Sequence, residues 1–192
     1  MSETAERIVD ATIKLLREEG AGALSTRNIA NRANVNQALV HYHFGSMELL
    51  MVAVLRRQAE ASGKRLQDHY NTPGSLVEKY TVDMDDVLKD DPRDGWGKVW
   101  FEATAMLVSN PELSRKHALD QRMPVRRIVE LEILNALPEG TEMNEEVRAY
   151  ATLIHAVRTG LIVDRLAGSD RGHRRAVELL GEFLSERLGQ AE

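Results

Sequence analysis

Residues 25–46 read STRNIANRANVNQALVHYHFGS, and the fold turns on this stretch. Ser25 or Thr26 is suited to cap a helix, because a short side-chain oxygen can accept from the unpaired N–H groups of the first turn. Ile29, Ala30 and Ala33 follow at the spacing of one helical face. Asn34 sits where the chain must turn sharply, and Asn enters the left-handed backbone region more readily than most residues. Asn36 is then placed to cap a third helix over Gln37–His43, which Gly45-Ser46 ends. Two short helices around a tight turn predict a helix-turn-helix.

Working outward, Ala5, Ile8, Val9, Thr12, Ile13 and Leu16 form one stripe of a first helix over Thr4–Glu19, stopped by Gly20. Ser46 and Glu48 open a long fourth helix that reaches about Tyr70, where Asn71-Thr-Pro-Gly breaks it. Apolar residues recur every three or four positions in later segments near 75–89, 95–109, 112–137, 144–167 and 171–188, with Pro124 expected to kink or split the third of these. No alternation typical of strands appears. The reading is all-α, about nine helices: a helix-turn-helix domain over 1–46, then a second helical domain over 47–192, with helix 4 (47–70) connecting them.

Composition narrows the chemistry. The 192 residues include no cysteine, which excludes disulfides and thiolate metal sites and fits a reducing, cytoplasmic setting. The N-terminus lacks the basic-then-apolar order of a secretory signal, and no apolar run approaches the ~20 residues of a membrane span. Net charge is −5. Within the first fifty residues Arg7, Lys14, Arg17, Arg27 and Arg32 are outnumbered by Glu3, Glu6, Asp10, Glu18, Glu19 and Glu48, so charge argues mildly against nucleic acid. No glycine-rich phosphate loop, nucleophile elbow or HExxH is found, so no enzyme or cofactor is expected. His41 and His43 diverge on a helix, and His117, His155 and His173 lie on separate segments, so no metal is expected. The aspartates at 83, 85, 86, 90 and 91 read as a solvated helix end.

Helix 3 divides badly into core and solvent. Val35, Val40 and Phe44 can face inward, which leaves Asn36, Gln37, Ala38, Leu39, His41, Tyr42 and His43 largely outward. An ordinary solvated face carries Glu and Lys; this one carries amides, small apolar groups and rings, with no acid. Amides pair with adenine edges, apolar groups meet thymine methyls, and Tyr or His donates to phosphate. A partly buried helix of a helical ligand-binding or structural protein without DNA is the competing reading.

The stretches IVDATIKLLREEG (8–20), STRNIANRANV (25–35) and HYHFGS (41–46) together resemble the N-terminal domain of the Tet-repressor family, nearly without gaps over residues 5–55. Beyond them the likeness is in helix count and length, and it implies that 47–192 is a ligand-binding and dimerisation domain. The resemblance implies a transcription regulator, a repressor more readily than an activator, acting as a homodimer on double-stranded DNA and released by a small-molecule effector. It assigns Thr26 and Arg27 to phosphate, Asn36, Gln37, Ala38 and Leu39 to bases, and His41, Tyr42 and His43 to backbone and base edges. Met47 and Gln37 stand where the family often has lysine, which removes two phosphate contacts. The run Val99-Trp-Phe-Glu-Ala, with Asn110-Pro-Glu-Leu, is loosely similar to the choline-responsive branch, but aromatics are too few to expect a choline cage.

Met84, Trp96, Trp100, Phe101, Met106 and Met123 are candidate lining for an effector pocket, with Glu102 and His155 as its polar groups, although plain core packing accounts for such residues as well. The stripe Tyr150, Leu153, Ile154, Val157, Leu161 and Ile162, with Val177, Leu180, Leu184 and Leu188, is the candidate dimer interface, where Thr159-Gly160 permits close approach.

Overall fold

The computed structural model describes residues 1–89, 91, 95–113 and 119–188, with backbone alone over 119–125. Ten α-helices are present among them: α1 (Glu3–Glu19), α2 (Thr26–Ala33), α3 (Gln37–Phe44), α4 (Met47–Tyr70), α5 (Leu76–Lys89), α6 (Trp96–Val108), α7 (Pro111–Leu113), α8 (Leu119–Asn135), α9 (Glu145–Leu166) and α10 (His173–Leu188). A 3-10 turn, Ala21–Ala23, links α1 to α2. Of the segment expected as a helix over 112–137, α7 and α8 are helical, 114–118 lie outside the described residues, and α8 runs through Pro124 as one helix.

Contacts divide the chain into two compact units, Met1–Glu60 with Arg93–Arg122 and Ala61–Pro92 with Met123–Glu192. The core of the first unit is made by α1, α2, the first half of α4 and α6. Ile8, Val9, Leu15 and Leu16 meet Ile29, Ala30 and Ala33, and Leu50, Met51, Val54, Val99, Ala103 and Leu107 complete the cluster. Lys98 Nζ donates to the Arg17 carbonyl at 3.0 Å, a cation placed against the negative end of α1.

The second unit packs the end of α4 with α5, α8, α9 and α10 around Tyr70, Tyr80, Met84, Ile133, Ile154 and Leu184. α5 opens on Ser75, whose N–H and hydroxyl both donate to the Glu78 carboxylate at 2.7 and 3.0 Å, while the Ser75 hydroxyl accepts from the Glu78 N–H at 3.3 Å. This reciprocal cap satisfies donors that the first turn leaves open. Those bonds to its ionised form hold the Glu78 carboxyl below the usual carboxylate range.

Candidate nucleic-acid interface

The first unit presents α3 on a base built by α1 and α2. Ser25 caps α2, its hydroxyl accepting from the Asn28 N–H at 3.1 Å. Asn34 ends that helix in the left-handed conformation, φ 53 and ψ 53, the one non-glycine residue with positive φ among the described residues. The turn is braced from outside it. The Arg7 guanidinium on α1 donates to the carbonyls of Ala33 at 2.7 Å and Asn34 at 2.9 Å. Both are carbonyls at or just beyond the end of α2, where helix geometry leaves acceptors unpaired. Asn36 then caps α3, its side-chain oxygen accepting from the Ala38 N–H at 2.9 Å.

Val40 is buried, and Val35 and Phe44 are half-buried against the same core, as their spacing predicts. Asn36, Gln37, Ala38, Leu39, His41 and Tyr42 are exposed, Tyr42 by 81%, and His43 is half-buried. The Tyr42 and His43 rings meet edge to face, with centroids 5.1 Å apart. Arg27 is exposed at the start of α2, and Thr26 is half-buried beside it. Met47 is half-buried against the core, and a thioether offers phosphate no N–H.

Ion pairs decide which cations remain available. Arg32 holds Glu18 and Glu19 at 2.6 and 2.8 Å. Arg57 holds Asp10 at 2.9 Å and Glu6 at 3.9 Å. With Arg7 on carbonyls, the side chains of Lys14, Arg17, Arg27 and Arg56 are the cations of residues 1–60 that have no hydrogen bond or ion pair among the described residues. A count of charges along the sequence does not reveal these pairings, nor the brace from Arg7, because the partners lie 13 to 51 residues apart in the chain.

The remaining candidates distribute differently from their grouping in sequence. Trp96, Trp100, Phe101, Glu102 and Met106 all lie on α6 in the first unit; Trp100 and Met106 pack on its core, Trp96 is half-buried and Phe101 is exposed. Glu102 lies against Gly20, where an added Cβ would come within 3.3 Å of its carboxylate. Met84 and His155 belong to the second unit, the first fully buried and the second half-buried. The Met123 side chain and His117 lie outside the described residues.

On α9 and α10, Tyr150, Ile154, Leu161, Ile162, Val177, Leu184 and Leu188 are buried within the single chain. Val157 and Leu180 are half-buried, and Leu153 is 44% exposed. Side chains already buried in one protomer have little surface to offer a second. Ala149, Leu153, Ala156 and Gly160 are all exposed, and their spacing places them on one side of α9.

Comparison with known proteins bears on both units. Residues 8–54 match the family model described as bacterial regulatory proteins, tetR family, and residues 84–189 match that of the BetI-type transcriptional repressor C-terminal region. The HTH-type transcriptional repressor Rv3405c of Mycobacterium tuberculosis is 36% identical over 77 residues, a match covering 40% of this chain and 40% of that one. The HTH-type transcriptional regulator BetI of Burkholderia cenocepacia is 22% identical over 183 residues, covering 93% and 90%. The crystal structure of a putative transcriptional regulator from Rhodococcus sp. RHA1 superposes with a TM-score of 0.73 at 20% identity, over 99% of this chain and 97% of that one. No single helix among the described residues is long and apolar enough to cross a membrane.

Proposed function

The chain belongs to the tetR family of bacterial regulatory proteins, and from that premise we propose that it is a DNA-binding transcription repressor, acting as a homodimer and released from its operator by a small-molecule effector. The observation that carries the DNA reading is the ridge of α3. An outward surface of amide, methyl, isobutyl, imidazole and phenol groups, with no acid, stands on a core that fixes it. A major groove accepts a helix of this width and offers the acceptors, donors and methyl groups that such side chains read. Thr26 and Arg27 open α2 where a phosphate is met, and Gln37, Ala38 and Leu39 face bases. Tyr42 is the most exposed large hydrophobic side chain among the described residues. With Arg32 and Arg57 engaged by carboxylates, affinity draws less on counterion release than a cation-rich helix-turn-helix would.

A two-fold pairing through α9 supplies the second recognition helix, and half-sites then lie roughly 34 Å or a multiple apart. The open row of Ala149, Leu153, Ala156 and Gly160 supports that pairing, since a Cβ added at Gly160 would meet nothing within 4 Å in one chain. An effector that favours a different dimer spacing releases DNA, for which a difference of about 1–3 kcal/mol between states suffices. The site of action is the cytoplasm, where the operator is.

Mobility shift on DNA upstream of the chain's own gene tests the reading. The wild type should retard a specific fragment, and Tyr42→Ala should abolish the shift while eluting unchanged from a sizing column. Intact binding by Tyr42→Ala would show that α3 is not the reading helix.

A further inference from the structure

The interior of the second unit holds polar groups that core packing leaves unused. Tyr70, the last residue of α4, is 1% exposed and Tyr80 on α5 is 0% exposed, yet neither hydroxyl has a hydrogen-bond partner among the described residues. Charged groups stand around them as closed pairs. Asp83 on α5 meets Arg158 on α9 at 3.3 Å, and Lys79 on α5 meets Glu132 on α8 at 2.9 Å, with all four side chains no more than 17% exposed. Tyr70 is within electrostatic reach of Asp83, Arg158, Glu132 and Tyr80, which gathers groups from four helices into one cluster. Burial, with Asp83 adding to it, pushes both phenols well above their usual range, so each keeps its proton and remains a donor.

We propose that this cluster is the effector site of the regulator, and that it takes an uncharged small molecule whose carbonyl, carboxamide or hydroxyl oxygen accepts from the Tyr70 and Tyr80 hydroxyls. The assignment of an effector rests on the repressor reading; the location and the ligand chemistry rest on the cluster. A buried hydroxyl without a partner destabilises the protein that carries it, and native cores seldom keep two together without a use. The charge argument selects the ligand class. Both ion pairs are already closed, so an ionic ligand would bring an uncompensated charge into a site largely removed from water. A neutral oxygen asks only for the donors that stand unused. Met84, in the same core, offers an unbranched side chain able to move aside for the ligand's apolar body. The aromatic residues of α6 belong to the first unit and take no part.

Melting curves of the full chain test this with three probes that share a benzene ring: benzamide, benzoate and benzyltrimethylammonium. Tyr70→Phe and Tyr80→Phe should each raise the melting temperature of the ligand-free protein by about 2–4 °C, as removal of a costly hydroxyl does. Benzamide at millimolar concentration should raise the wild-type melting temperature, and each variant should lose at least four-fifths of that rise. A lower melting temperature in the Phe variants would mean the hydroxyls serve the fold, and would overturn the proposal. So would an equal or larger response to either charged probe, or no response to benzamide. Operator binding is measured separately: a protein that binds DNA but ignores benzamide refutes the site alone, and one that binds benzamide through the tyrosines but no DNA refutes the repressor reading alone.

Discussion

Replacing Arg7 by methionine would remove the guanidinium that braces the α2–α3 turn while keeping an unbranched side chain of equal helix propensity on α1. Two hydrogen bonds are lost, to the Ala33 carbonyl at 2.7 Å and the Asn34 carbonyl at 2.9 Å. A bond from a charged donor contributes about 1.5–3 kcal/mol when shielded. Only the first is partly buried, and the second lies in solvent, where water replaces the donor at little cost. The expected loss is therefore about 1–2 kcal/mol, a fall of about 2–8 °C in melting temperature for a chain of this size. The consequence for DNA is of the same size. With the left-handed Asn34 unbraced, α3 samples orientations that cannot seat its ridge, so operator affinity should drop by about five- to thirtyfold, the same 1–2 kcal/mol read at the DNA. Fluorescence anisotropy with operator and scrambled duplexes at one salt concentration separates positioning from charge. Arg7→Met should weaken the operator complex and leave the scrambled complex within about twofold, because the guanidinium is committed to carbonyls and not to phosphate. Equal losses on both duplexes, or a lowered melting temperature with unchanged operator affinity, would refute the positioning role.

Glu18→Gln with Glu19→Gln should free Arg32 and remove two negative charges beside α2; titrations should then show operator affinity raised at least threefold and a salt slope steeper by about one per protomer. Leu153→Arg should convert dimer to monomer on a sizing column with unchanged helix content, whereas Leu161→Arg, at a side chain only 5% exposed within one chain, should unfold the second unit and report nothing about the interface. A dimeric Leu153→Arg would exclude the open row of α9 as the contact. Glu78→Gln should lower the melting temperature at neutral pH. Because the folded carboxyl titrates below its ordinary value near 4.5, the stabilisation is fully present above that value and is lost as pH falls through the depressed one. Melts of the two proteins should therefore converge in acid, and a gap that widened there would contradict the cap.

Local chemistry was legible in the chain. Ser25 or Thr26, Asn34 and Asn36 read as cap, turn and cap; the structure has Ser25, Asn34 and Asn36 in those places, since each acts on backbone groups within three or four residues of itself. Ile29, Ala30, Ala33 and Val40 declared themselves core by spacing alone, and what remained of α3 declared itself surface. A periodic stripe, however, states only that a helix buries a face. It does not name the burying partner. On α9 and α10 the stripe that is the candidate subunit contact is mostly buried within one chain, and the exposed row lies beside it.

Tertiary structure decided whatever depends on residues far apart in the chain. It placed α6 in the same unit as the helix-turn-helix, set Arg32 and Arg57 on carboxylates and Arg7 on the turn, and enclosed the Tyr70 and Tyr80 hydroxyls without a hydrogen-bond partner among the described residues. A helix and its caps follow from bonds a few residues long, which composition and order encode directly. Pairings between distant side chains follow from how the helices pack, and a single sequence carries no mark of which groups will meet.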